Sequence, residues 1–280
     1  MFTKIRFFIF LFFLVSGLNA QNFENKFYRD SSSISKGFGI HNDLAYSSYL
    51  IEIDSSEIDA VIDYDLLEYT LGVSYVYGSF MSGMYMKLLV DEIRSNIYLS
   101  STQKRLGDRS NIDKNEFSFY LNYHFLREEK SSWSLNLIYR ESIFDAKDSY
   151  DSFHHYSSYF YYKSKGLALS FVYANAFLEK NSYFISTGIL YSQAKVQVNE
   201  RVNNSVQDAF IDEKSQAMGL KLALGYNYNF SKNLIFNLRT DTWWLNFSKL
   251  NVNSKVGDTL PKARLKEESI SSYLGFTWRF

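Results

Sequence analysis

The chain has 280 residues, with no Cys, a single Pro, and 30 Lys plus Arg against 30 Asp plus Glu. The absence of Cys excludes a disulfide framework, a thiolate metal site and the lipid-carrying Cys of a lipoprotein, and zero formal net charge excludes a global basic field for nucleic acid. Aromatic residues make up 19% of the chain while mean hydropathy is slightly negative, a combination expected of strands with one apolar and one polar face.

Lys4 and Arg6 precede an apolar run from Phe7 to Val15, and Ser16-Gly17-Leu18-Asn19-Ala20 follows. These are the charged, apolar and small-residue regions of a secretory signal peptide, with cleavage expected after Ala20. The apolar run is about ten residues, short of the roughly 20 that a spanning helix needs. A membrane-anchored soluble domain is therefore the weaker reading. No Pro/Gly-rich linker or composition shift divides residues 21–280, which predict one domain.

Alternating segments then follow in chain order at 44–53, 66–76, 80–90, 117–125, 133–140, 153–162, 167–174, 183–198, 220–229, 234–247 and 269–280. The clearest internal one sets Phe117, Phe119, Leu121, Tyr123 and Phe125 against Ser118, Tyr120, Asn122 and His124. Short polar connectors at 78–79, 127–132, 163–166, 179–182 and 231–233 predict hairpin turns. Longer charged connectors at 54–65, 91–115, 145–152, 199–215 and 249–268 predict loops. Trp243, Trp244 and Phe247, near a strand end, read as an interfacial aromatic girdle.

The last segment is the most specific. Leu274, Phe276, Trp278 and Phe280 share one face, and Tyr273, Gly275, Thr277 and Arg279 the other. This ending resembles the C-terminal signal strand of Gram-negative outer-membrane β-barrels, where a final Phe after alternating apolar residues is read by the barrel-assembly machinery. The resemblance implies an all-β, transmembrane antiparallel up-and-down barrel, integral and multi-pass in the bacterial outer membrane. It also implies outer-membrane lipid, lipopolysaccharide, the assembly machinery and periplasmic chaperones as partners. A secreted β-sandwich shares the alternation but needs fewer exposed aromatics.

Eleven segments conflict with the even strand number of single-chain bacterial barrels. Short and long connectors fall out of step between Gly166 and Ser182. Twelve strands are the expectation and ten the fallback. Either number lies between the eight strands that fill their own interior and the 16 to 18 that leave a channel, so any lumen is narrow.

With the apolar faces against lipid, the opposite faces carry Lys87, His124, Arg140, Lys221, Arg239, Asp241 and Arg279. That lumen is biased towards positive charge unless inward acids pair with it, and charged linings set ion selectivity. The leading expectation is a narrow pore or passive transporter for small, anionic solutes. The alternative is a non-conducting surface or structural barrel whose extracellular loops bind a partner.

A third reading is catalytic. His155-Tyr156-Ser157 has the spacing in which an imidazole takes a hydroxyl proton, and it resembles outer-membrane phospholipase A and lipid A deacylase. The Asn- or Glu-bearing partner segment of those families is missing, because Ala168, Ser170 and Val172 occupy the next strand. No cofactor or metal is expected: His41 and His124 are isolated, and the acidic stretch Asp145, Asp148 and Asp151 lacks calcium-loop spacing.

Overall fold

The computed structural model describes residues 36–54, 59–99, 104–105, 111–128, 130–152, 154–202, 205–206, 209–251, 253–254 and 262–280. The expected signal peptide at residues 1–20 lies outside them. Ten long strands follow one another: β1 Lys36–Asp54, β2 Asp59–Tyr77, β3 Phe80–Leu99, β4 Asn111–Arg127, β5 Ser131–Ser152, β6 His154–Leu178, β7 Asn181–Val202, β8 Ala209–Asn229, β9 Leu234–Phe247 and β10 Lys262–Arg279. Each pairs antiparallel with its sequence neighbour, and β10 pairs with β1 from Gly39 opposite Arg279 to Asp54 opposite Arg264. The sheet thus closes on itself, with β3 and β4 paired from Phe80 opposite Tyr123 to Leu88 opposite Asn115. Phe280 fastens the seam, its N–H donating to the Phe38 carbonyl at 2.8 Å. Two-residue pieces at Lys104–Arg105, Ser205–Val206, Leu250–Asn251 and Asn253–Ser254 extend the end opposite the termini.

The barrel has ten strands, matching the fallback rather than twelve. Lys163-Ser164-Lys165-Gly166, which the polar run predicts to be a turn, instead runs through the middle of the 25-residue β6. Four polar residues in a row suggest a turn only if the strand is assumed to stay within lipid. Here β6 continues beyond it. The long connectors shrink for the same reason: most of 54–65, 91–115, 145–152 and 199–215 is strand, including the acidic stretch from Asp145 to Asp151. The other short turns stand as read, with Gly78 at φ +57° opening the two-residue turn to β3.

Strands of 14 to 25 residues exceed the roughly 9–11 needed for a tilted crossing, and their polarity inverts along their length. In the half nearer the termini, Leu167, Leu169 and Phe171 of β6 are exposed on the outside while Ala168 and Ser170 are buried inside. In the far half of the same strand the outward positions are Lys163 and Lys165, and the inward ones are buried Phe160 and Tyr162. Strand β7 repeats this, with Ile185, Ile189 and Tyr191 outside below, and Val196 and Val198 buried inside above. The near half is therefore built as a membrane barrel and the far half as a water-soluble one. On β10, Leu274, Phe276, Trp278 and Phe280 all lie exposed on the apolar outer face, and Tyr273 and Thr277 are buried inside.

Candidate functional site: the barrel lumen

Three tiers stack inside the barrel. In the near half, a cavity of about 770 Å³ opens at the short-turn end, and His41, Asp43, Tyr85, Lys221, Arg239 and Trp243 are among its lining residues. Small residues on the inward face make that room. The ring of Tyr85 on β3 lies over Gly72 of β2, where an added Cβ would come within 2.3 Å of the Tyr85 ring. Tyr85 stacks in turn on Tyr120, with ring centroids 5.1 Å apart. His41 is held across the seam, its Nδ1 2.8 Å from Thr277 Oγ1 and its Nε2 2.8 Å from Ser74 Oγ.

At the level where the outer face turns from apolar to polar, the interior carries an ion-paired layer. Lys114 Nζ lies 2.6 Å from Glu68 Oε1 and donates to Tyr49 Oη at 2.5 Å. Lys87 lies 3.5 Å from Glu68 and 3.8 Å from Glu116. Arg140 meets Glu116 at 2.9 Å and Glu267 at 3.4 Å, and Glu267 also accepts a hydrogen bond from Tyr162. Three cations face three carboxylates, with at most 11% of any of these side chains exposed. Burying an ion is costly unless its partners satisfy it, and here each is paired.

Above this layer the interior is apolar. Ile51, Ile53, Ile62, Tyr64, Leu66, Ile112, Phe144, Phe160, Val196, Val198, Ile211, Leu245, Phe247 and Leu265 belong to one buried cluster to which nine of the ten strands contribute, with Leu89 of β3 packed against it. Ile53, Tyr64 and Leu66 are completely enclosed. A dry, close-packed layer of this kind has no polar path for water or ions.

Every residue expected in the lumen does point inward. Lys87 and Arg140 belong to the ion-paired layer and also line the upper end of the chamber, and Lys221, Arg239, Asp241, His124 and Arg279 line the chamber below. The expected positive bias is cancelled in the layer by Glu68, Glu116 and Glu267. In the chamber, Asp43, Glu128, Glu179 and Asp241 stand among the cations: Arg239 lies 3.7 Å from Asp241, whereas among the described residues no carboxylate salt-bridges Lys221. The Lys221 ammonium instead sits 5.0 Å from the ring centre of Trp243, which Arg140 also approaches at 4.8 Å. Trp243 is therefore the chamber's ceiling and not part of an outer girdle, and Phe247 is buried in the apolar cluster. Only Trp244 of that trio takes the outward face.

Lys114, Glu68, Glu116 and Glu267 were the residues that sequence reading missed. Three of them sit outside the alternating segments at 117–125 and 269–280. Extending each segment's parity two or three residues past its polar interruption would have placed Lys114 and Glu116 inward with Ser118 and Tyr120, and Glu267 inward with Ser269. Glu68 lay inside a segment, in step with Thr70, Gly72 and Ser74, and that small-residue face was its signal.

The backbone pairs His155 with Asp151 and Ser157 with Ser149; the side chains of His155 and Ser157 lie outside the described residues. Their place in the fold counts against action on membrane lipid. They precede Leu167, the first exposed apolar residue of β6 among the described residues, by twelve and ten positions respectively, roughly 33–40 Å along a strand. Among the described residues no group of three or more His, Asp or Glu side chains converges on a possible metal position.

No protein-family model and no curated protein matches the chain. Among solved structures, the outer membrane protease OmpT from Escherichia coli is similar with a TM-score of 0.64 and 11% identity, over 87% of this chain and 97% of that one. The translocator domain of the autotransporter NalP from Neisseria meningitidis has a TM-score of 0.47 and 10% identity, covering 95% of this chain and 92% of its own. OprG from Pseudomonas aeruginosa has a TM-score of 0.38 and 13% identity, over 87% and 96% of the two chains. The fold is that of a Gram-negative outer-membrane β-barrel.

Proposed function

We propose that the protein is an integral barrel of the bacterial outer membrane that conducts no solute and acts through its surfaces. The apolar cluster above the ion-paired layer carries this reading, because among the described residues it fills the interior directly above that layer. With the short turns and both strand ends of the seam on the periplasmic side, as in outer-membrane barrels generally, the far half stands outside the cell as a rigid, water-soluble extension. Such an extension suits a surface protein that presents its distal loops to a partner, the alternative that the sequence already offered beside a pore.

The test is solute entry into liposomes carrying the refolded protein. Swelling rates in arabinose or glucose equal to those of protein-free liposomes support the reading, and swelling that rises with the amount of folded protein contradicts it.

A second reading is favoured by one observation, the buried Lys221 in the chamber with no carboxylate salt-bridged to it. The chamber then serves as a periplasm-facing pocket for a small anionic solute. Phosphate or a dicarboxylate binding to the wild type and not to Lys221→Gln would support it.

A further inference from the structure

The outer surface just beyond the apolar band carries an arrangement that the fold itself does not require. Lys163 on β6 pairs directly with Lys195 on β7, and Lys195 pairs directly with Lys214 on β8. Three cations thus stand side by side on three adjacent strands, with strand spacings near 4.8 Å. Lys165 lies two residues below Lys163. Like charges directly opposite each other on a sheet face are destabilising. Among the described residues Glu141 takes Lys163 at 2.8 Å and Lys165 at 3.4 Å, and Asp212 lies 3.6 Å from Lys195. Among the described residues no carboxylate salt-bridges Lys214.

The height of the row defines what it meets. Leu167, Tyr191 and Met218, all exposed on the same face, lie four residues below Lys163, Lys195 and Lys214 respectively. They mark the top of the apolar band. At that level a lipid's polar headgroup touches the barrel. The opposite side of the barrel differs: there Arg94 is clamped between Asp63 at 2.9 Å and Asp65 at 3.0 Å, leaving excess negative charge.

We propose that the Lys163–Lys195–Lys214 row, supported by Lys165, binds the phosphate groups of an outer-leaflet lipid headgroup. A phosphate oxygen bridging two ammonium groups removes the repulsion that the register imposes, and a ligand with more than one phosphate can span the row. This site is independent of the lumen and stands whether or not the barrel conducts.

The experiment reconstitutes the full mature chain and the triple variant Lys163→Gln/Lys195→Gln/Lys214→Gln in nanodiscs of zwitterionic lipid, with and without a diphosphorylated glycolipid, and measures co-purified glycolipid by mass spectrometry and thermal unfolding. Each lysine near a charged surface contributes about a factor of five in affinity, so losing three weakens glycolipid binding about 100-fold. The wild type gains thermal stability on adding the glycolipid and the variant does not. In zwitterionic lipid alone the variant is at least as stable as the wild type, a result that a purely structural role for the lysines would reverse. Equal glycolipid retention by both proteins overturns the proposal. Equal stabilisation of the wild type by inorganic phosphate at the same phosphate concentration overturns the assignment to lipid.

Discussion

Lys114 Nζ and Glu68 Oε1 meet 2.6 Å apart inside the barrel, with 2% and 0% of their side chains exposed. The pair anchors a layer in which Lys87, Arg140, Glu116 and Glu267 also participate, and the layer separates a polar chamber from an apolar core. Removing one partner leaves a buried charge uncompensated. Glu68→Ala is expected to destabilise the barrel by about 3–5 kcal/mol, whereas Glu68→Met combined with Lys114→Met costs much less. Urea unfolding in vesicles, followed by tryptophan fluorescence, measures both; equal losses from the single and double variants would show that the pair is not coupled.

The far half is expected to behave as a soluble protein core. Phe144→Ala, in a cluster with Tyr64 4.6 Å away between ring centroids and Phe160 at 5.9 Å, should cost about 3–5 kcal/mol. Phe171→Ala on the lipid face leaves no cavity inside and should cost far less. Comparison of their urea midpoints checks this, and comparable losses would mean that the interior above the ion layer is not packed.

The position of the membrane follows from the outer face alone. Phe171→Arg, well inside the apolar band of β6 that begins at Leu167, is expected to cost about 2–4 kcal/mol. Gln193→Arg lies above Tyr191, beyond the band, and should be nearly neutral. If both substitutions cost the same in refolding titrations, the band has been placed at the wrong height.

Closure at the seam depends on close approach of β1 and β10. A Cβ on Gly275 would lie 2.2 Å from the Asn42 carbonyl oxygen and 2.0 Å from Asp43 Oδ1. Gly275→Val forces these backbones apart and should abolish or weaken the heat-dependent gel shift of the folded barrel. An unchanged shift would show that the seam tolerates a side chain there.

How much of this was legible in the sequence depends on which half of each strand is considered. The membrane half was readable because alternation against lipid is strict: the segment 117–125 and the C-terminal run appear as read, and their faces point as expected. The far half obeys the opposite rule, apolar inside and polar outside, so a reader tracking apolar outer faces loses the strand where the polarity inverts. That is why Lys163 to Gly166 looked like a turn and why Lys114, Glu116 and Glu267 fell beyond the segment ends. The lumen cations were legible as inward residues. Their pairing was not, because Arg140 and Glu267 are 127 residues apart in sequence and meet only when the barrel closes.

The central claim is that the interior is sealed, and single-channel recording across a planar bilayer tests it most directly. Mature protein shown to be folded by its gel shift should give no discrete openings above the bare-bilayer baseline, at either polarity and in molar salt. Discrete, repeatable openings from that same folded material would contradict it, since they require a water-filled path through the layer that Tyr64, Phe144 and Leu245 occupy.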